Sequence, residues 1–182
     1  MKRKLALSSS IIVFVIALLS VGTIAYFTMT KTVDNTITAG NLNLEIREVN
    51  ADGEAVPADG IQIMPGDTVS HVMSVENTGD HPFFVRVKLS KEIEDSTLSA
   101  EDCISMNINN ADWTYSGGYY YYNKTLTPGE STKPLFTQVE IDGEKVGNEY
   151  LGKTLTLNVA ASVVQSDNNG IDPLNAAGWP EI

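Results

Sequence analysis

One cysteine in 182 residues cannot close an internal disulfide. The two histidines, His71 and His81, are ten residues apart, and there is no H-E-x-x-H pair. Zinc hydrolases usually need three protein ligands with at least two placed close together. Cations are scarce too, with 12 Lys and Arg against 23 Asp and Glu, a net charge of −11. Three of the 12 are Lys2, Arg3 and Lys4, so residues 26–182 hold 9 cations against 23 acids, a net of −14. A body this acidic cannot replace phosphate counterions, which excludes nucleic acid as a partner. Anionic lipid headgroups repel it as well. No run of ten or more residues has helical periodicity, so parallel strands joined by crossover helices are not expected. Apolar residues make up 42% of the chain. That is enough for a core in one domain with an appendage, and it excludes wholesale disorder.

The appendage is the first 25 residues. After Lys2-Arg3-Lys4 no charge occurs until Lys31, and Ile11 to Leu19 is a run of nine apolar residues. Gly22 loosens the helix. Thr23 and Ala25 put small residues three before and one before a cut ahead of Tyr26. This is the layout of a secretory signal: a basic end retained inside, an apolar helix entering the bilayer, and small residues fitting the peptidase cleft. The alternative is an uncleaved anchor, since residues 5–27 are long enough to span. Either way the acidic body lies outside the cytoplasm, and only the signal touches a membrane.

From residue 26 onward the apolar period is two. Strands are expected at 42–46, 69–75, 83–89, 135–141 and 155–163, with shorter ones at 104–108, 113–115 and 118–122. Helix is confined to a turn or two at Ser99–Cys103 and at Pro173–Ala177. Pro65-Gly66 and Pro128-Gly129 suit type II turns, with Pro presetting φ and Gly accepting a positive one. Asn77-Thr78-Gly79-Asp80 reads as a hairpin connection. About eight short antiparallel strands with Gly and Pro turns make an all-β, two-sheet sandwich over residues 40–182.

Several stretches together resemble a known family. They are Gly22 to Thr28 after the apolar run, Thr38-Ala39-Gly40-Asn41-Leu42-Asn43-Leu44, Met64-Pro65-Gly66-Asp67, Val75-Glu76-Asn77-Thr78-Gly79, and Gly117 to Tyr122 before Leu126 to Glu130. In this order they resemble the TasA/camelysin family of exported Gram-positive proteins. The resemblance implies a jelly-roll sandwich, export through a dedicated SipW-type signal peptidase, and secretion to the extracellular matrix or cell surface. It also implies assembly into biofilm matrix fibres, in which the N-terminal segment of one subunit adds as a strand to the next. Camelysin itself implies a cell-surface metallopeptidase.

The residues supply little catalytic chemistry, and the expectation is a protein that is not an enzyme and needs no cofactor. His71 falls on a strand face and His81 in a turn. Cys103 follows Glu101 and Asp102, which oppose a thiolate. Neither a G-x-S-x-G nucleophile nor a phosphate-cradling glycine loop is present. Asp167, Asn169 and Asp172 crowd oxygen ligands into one loop, as calcium prefers, but without the glutamate that ends a twelve-residue calcium loop. The bland reading of that loop is an Asx- and Gly-rich turn. Tyr119 to Tyr122 with Trp113 is either a sugar-stacking platform or a strand with two rings inward and two outward.

The most informative segment is 26–39, YFTMTKTVDNTITA. Phe27, Met29, Val33 and Ile37 fall on odd positions and threonines on even ones, a strand pattern rich in β-branched residues. It follows the expected cut directly. A free extended segment can complete a neighbour's sheet, and a head-to-tail contact that does not close gives filaments. The alternative is that it pairs as the first strand of its own sandwich. The expected function is a secreted fibre subunit whose main partner is itself, with the signal peptidase during export and other matrix components as further partners. A camelysin-like metallopeptidase and a monomeric module binding carbohydrate or protein are the alternatives. With −14 charges per subunit, salt or acid should favour assembly.

Overall fold

The computed structural model describes residues 25–31, 42–57, 61–93, 99–101, 103–147, 150, 153–180 and 182. The signal helix lies outside them. Among the described residues there are ten strands: β1 (Ala25–Lys31), β2 (Leu44–Val49), β3 (Ile61–Ile63), β4 (Thr68–Asn77), β5 (Phe83–Ile93), β6 (Ile104–Met106), β7 (Trp113–Ser116), β8 (Tyr119–Tyr122), β9 (Phe136–Ile141) and β10 (Thr154–Gln165). One sheet has the order β3-β1-β10-β5-β8-β7 and the other β2-β4-β9-β6. The expected all-β sandwich is therefore present.

Alternation decides which side of each strand is buried. On β10, Leu155, Leu157, Val159, Ala161 and Val163 face inward, and across the gap Met73 and Val75 of β4 and Phe136, Val139 and Ile141 of β9 meet them in one core. Burying such side chains stabilises the fold by roughly 1.5–3 kcal/mol each. The long β5–β10 pair, in register from Leu155↔Ile93 to Gln165↔Phe83, is the spine of the larger sheet.

Three expectations need correction. Only β3 falls outside the expected strands, the eight of the sandwich and the segment 26–39; at three residues it is too short to show a period. β1 runs parallel to β10, although parallel pairing was not expected. Parallel strands need a long crossover connection, usually a helix, and here most of the chain between β1 and β10 supplies it without one. Finally, Asn77 to Asp80 is not a hairpin, because β4 and β5 belong to opposite sheets. The buried Asn77 turns the chain across the sandwich. Its Nδ2 donates to the carbonyls of His81 and Leu126, both at 2.9 Å, and its Oδ1 accepts from Gly79 N–H.

The two Pro-Gly turns share one construction. Gly66 and Gly129 have φ of 88° and 78°, as type II turns require. Asp67 N–H donates to Met64 O and Glu130 N–H to Thr127 O, each at 3.0 Å. The acidic side chain then reaches back, so that Asp67 Oδ2 accepts from Met64 N–H and Glu130 Oε2 from Thr127 N–H. Those bonds hold the Glu130 carboxyl below its usual range. Around Ser99–Cys103 the chain makes a turn, with Cys103 N–H on Ala100 O, and Pro173–Asn175 is a single 3-10 turn capped by Asp172.

Candidate functional site

The first candidate is the lane that β1 fills. On one side Tyr26 to Lys31 pair with Thr154 to Val159 of β10, and on the other Ala25, Tyr26 and Phe27 pair with Ile63, Gln62 and Ile61 of β3. The register sets Phe27 and Met29 opposite Leu155 and Leu157, the strand positions that build the core. The lane is thus flanked by two strands, and β3 has no ladder partner but β1 among the described strands. Of the residues singled out for the cut and the donor strand, Ala25, Tyr26, Phe27 and Met29 lie in β1. Thr23, Val33 and Ile37 lie outside the described residues.

The second candidate is the histidine chemistry. His71 is fully buried on β4, beside a register shift between Ser70 and Met73 in the pairing with β9. Its ring lies 5.6 Å from that of Phe136, and its Nε2 is 3.6 Å from Glu48 Oε1, too far for a hydrogen bond. Neither ring nitrogen has a hydrogen-bond partner. His81 is exposed beyond the Asn77 turn. Cys103 is buried, and its Sγ donates to Ser99 O at 2.9 Å.

In the proposed calcium loop the side-chain oxygens of Asn169 and Asp172 are already engaged. Asn169 Nδ2 donates to Gln165 O and Ala177 O, and its Oδ1 accepts from Ala177 N–H. Asp172 accepts from Leu174 N–H and Asn175 Nδ2. Asp167 lines a cleft of about 240 Å³ between this turn and the tail. The loop ties the tail down, and it has no group of three or more carboxylate, imidazole or thiol donors.

The tyrosine run splits between faces. Tyr122 packs with Trp113 in the core, 5.1 Å between rings, and Tyr120 packs at its margin. Burial raises the Tyr120 phenol pKa, with Tyr115 and Glu101 adding to it. Tyr119 and Tyr121 lie on the outer face against Arg86. Arg86 is the functional-looking residue that sequence reasoning missed. The signal was a lone guanidinium inside Phe83-Phe84-Val85-Arg86-Val87, which alternation alone assigns to solvent.

Residues 1–109 of the 182 match the camelysin metallo-endopeptidase family. The chain belongs to that family. TasA is grouped in the same family. No individual curated protein matches the chain. The description of the camelysin family implies a metal ion and an activated water. The chain offers two imidazoles and one thiol, and they are placed apart: His71 in the core, His81 at the surface, Cys103 on Ser99. Among the described residues no three His, Cys, Asp or Glu are grouped to hold a metal ion. The described residues of this camelysin-family chain therefore do not fit a zinc-hydrolase centre, which needs three protein ligands and an open fourth position.

Proposed function

We propose that this chain is a secreted structural subunit that polymerises into extracellular matrix fibres, each subunit inserting its N-terminal strand into the next. The observation that carries the reading is the lane between β3 and β10. β1 is joined to both flanking strands by main-chain pairing, and they come from distant parts of the sequence. Main-chain pairing does not distinguish one copy of a strand from another. The seated β1 is then the self-paired state of a lone molecule, and the same segment from a neighbour is the donated state. Every copy would present one lane and one strand, so the contact is head-to-tail and propagates without closing. Membership of the TasA/camelysin family supports the reading, as does the expected signal cut directly before Tyr26, which would free the strand.

Deleting residues 26–33 from the mature chain tests it. The variant should keep its strand circular dichroism and stay monomeric, while the parent forms fibres visible by electron microscopy. Fibres of the deletion variant with the same morphology would end the proposal.

A further inference from the structure

The outer face of the six-stranded sheet should be wet, yet Phe84, Val164, Ser162 and Tyr121 on it are buried. What covers them is the tail. After the 3-10 turn, residues 176–180 and 182 lie over β5, β8 and β10. Ala176 and Trp179 close a small apolar cluster with Phe84 and Val164, separate from the main core. Trp179 stands edge-on to Tyr121 at 5.5 Å, and its Nε1 donates to Pro173 O.

The polar contacts converge on main-chain acceptors of this segment. Arg86 Nη2 donates to Pro180 O at 2.5 Å, and Lys88 Nζ to Ile182 O at 2.6 Å. Tyr119 OH donates to the same Ile182 oxygen. Arg86 itself is only 7% exposed. Its guanidinium lies 3.8 Å from the Tyr119 ring centroid and 4.9 Å from that of Trp179, with Nε on Ser162 Oγ and Nη1 on Tyr121 Oη.

Burying a guanidinium is costly unless each N–H is satisfied, so a face meant only to be dry would carry an apolar residue here. A cation between aromatic rings that grips carbonyls of an irregular segment is instead the chemistry of peptide recognition. Tyr, Trp and Arg are also the residues that dominate binding hot spots. Two of the nine cations in a body of net charge −14 are spent on this one face.

We propose that this face is a peptide-binding site for an extended segment carrying Trp followed by Pro. Residues 172–182 occupy it as a ligand held in cis, and the tail of a second copy can take their place. The proposal stands apart from the fibre reading, because peptide binding is measured on the soluble chain. Ile171 is 97% exposed, so a site-specific protease sequence inserted after Gly170 can be cut in the folded full chain.

The freed fragment should co-elute with the body on gel filtration. A fluorescent peptide of residues 171–182, standing for a second copy's tail, should exchange for it with a Kd below about 100 μM. The same peptide with Trp179→Ala should bind about tenfold or more weakly. A second measurement needs no cut: the full chain carrying Trp179→Ala should take up the wild-type peptide, and the wild-type chain should take up less. A fragment that is lost from a body with unchanged circular dichroism, equal binding of the two peptides, or no uptake by the Trp179→Ala chain would each overturn the proposal.

Discussion

The first and last described segments both lie on the six-stranded sheet, yet different chemistry holds them. β1 is held edge-on, by main-chain pairing with β10 and β3. The tail is held face-on, by the side chains of Arg86, Lys88, Tyr119, Tyr121 and Trp179. A ladder needs only an extended strand whose apolar positions fall on the right face. A clasp of rings and a guanidinium needs particular residues at particular places. The edge contact is therefore suited to exchange among many identical copies, and the face contact to recognising one segment.

The largest effect should come from cutting the two apart. Deleting 26–33 leaves β3 without its ladder partner and the first half of β10 with an open edge. Polymer should fall from all to none while the sandwich core stays folded, because that core lies between β10, β5, β4 and β9. A chain ending at Asp172 should still form fibres under electron microscopy. Loss of fibres from the tail deletion, with fibres kept by the strand deletion, would reverse the assignment of the two segments.

Next in size is Arg86→Ala. It strands the hydroxyls of Ser162 and Tyr121 and the carbonyl of Pro180, and it opens the space between Tyr119 and Trp179. A loss of about 2–4 kcal/mol in urea unfolding is expected. Arg86→Lys should recover less than half of it, since an ammonium cannot fork between these partners. A loss under about 0.5 kcal/mol would mean that the clasp is ornamental and the tail is held by apolar contact alone.

The two contacts also differed in how far the sequence disclosed them. The strands of the sandwich were readable because each buries one face, and period two is a local signal: Leu155 to Val163 could be placed from alternation alone. β1 was readable from the alternation of Phe27 and Met29 with threonines in the sequence, but not its partner. Pairing with β10 rather than with a neighbour in sequence is a tertiary choice that leaves no local mark. Asn-Thr-Gly-Asp favours a tight connection and so reads locally as a hairpin, whereas β4 and β5 lie in opposite sheets and Asn77 is bonded to His81 and Leu126 across the turn. The Arg86 clasp was unreadable for a further reason. Its partners, Ser162, Tyr121 and Pro180, are brought to it by three different elements, and no spacing along the chain encodes that meeting.

A smaller effect bears on the core beneath both contacts. His71 is buried with no hydrogen bond to either ring nitrogen, so removing the ring removes a desolvated polar group along with its packing. His71→Leu should stay within about 1 kcal/mol of the parent, in either direction. Casein hydrolysis by pure protein should be at background for both, with or without a chelator. Chelator-sensitive hydrolysis that His71→Leu abolishes would put a metal at this ring and refute its reading as a core residue.

The smallest effect is electrostatic, and it separates the stability of the subunit from its assembly. Asp112 is held below the usual carboxylate range by hydrogen bonds from Asn109 and Lys124, Asp142 by the N–H groups of Glu144 and Lys145, and Glu130 by its bonds with Thr127. A carboxyl whose folded pKa is depressed stabilises the fold at pH above its unfolded value, and that contribution fades as pH falls through the folded one. These three sites are solvent-facing, so the stability lost by the monomer should be small and confined to pH below about 4. Acid acts oppositely on assembly, because protonation removes repulsion between subunits of net charge −14. Between about pH 6 and pH 4, light scattering should therefore rise while the urea midpoint of the β1-deleted monomer barely moves. A midpoint that collapses above pH 5 would tie the two together and make acid-induced assembly a consequence of partial unfolding rather than of charge.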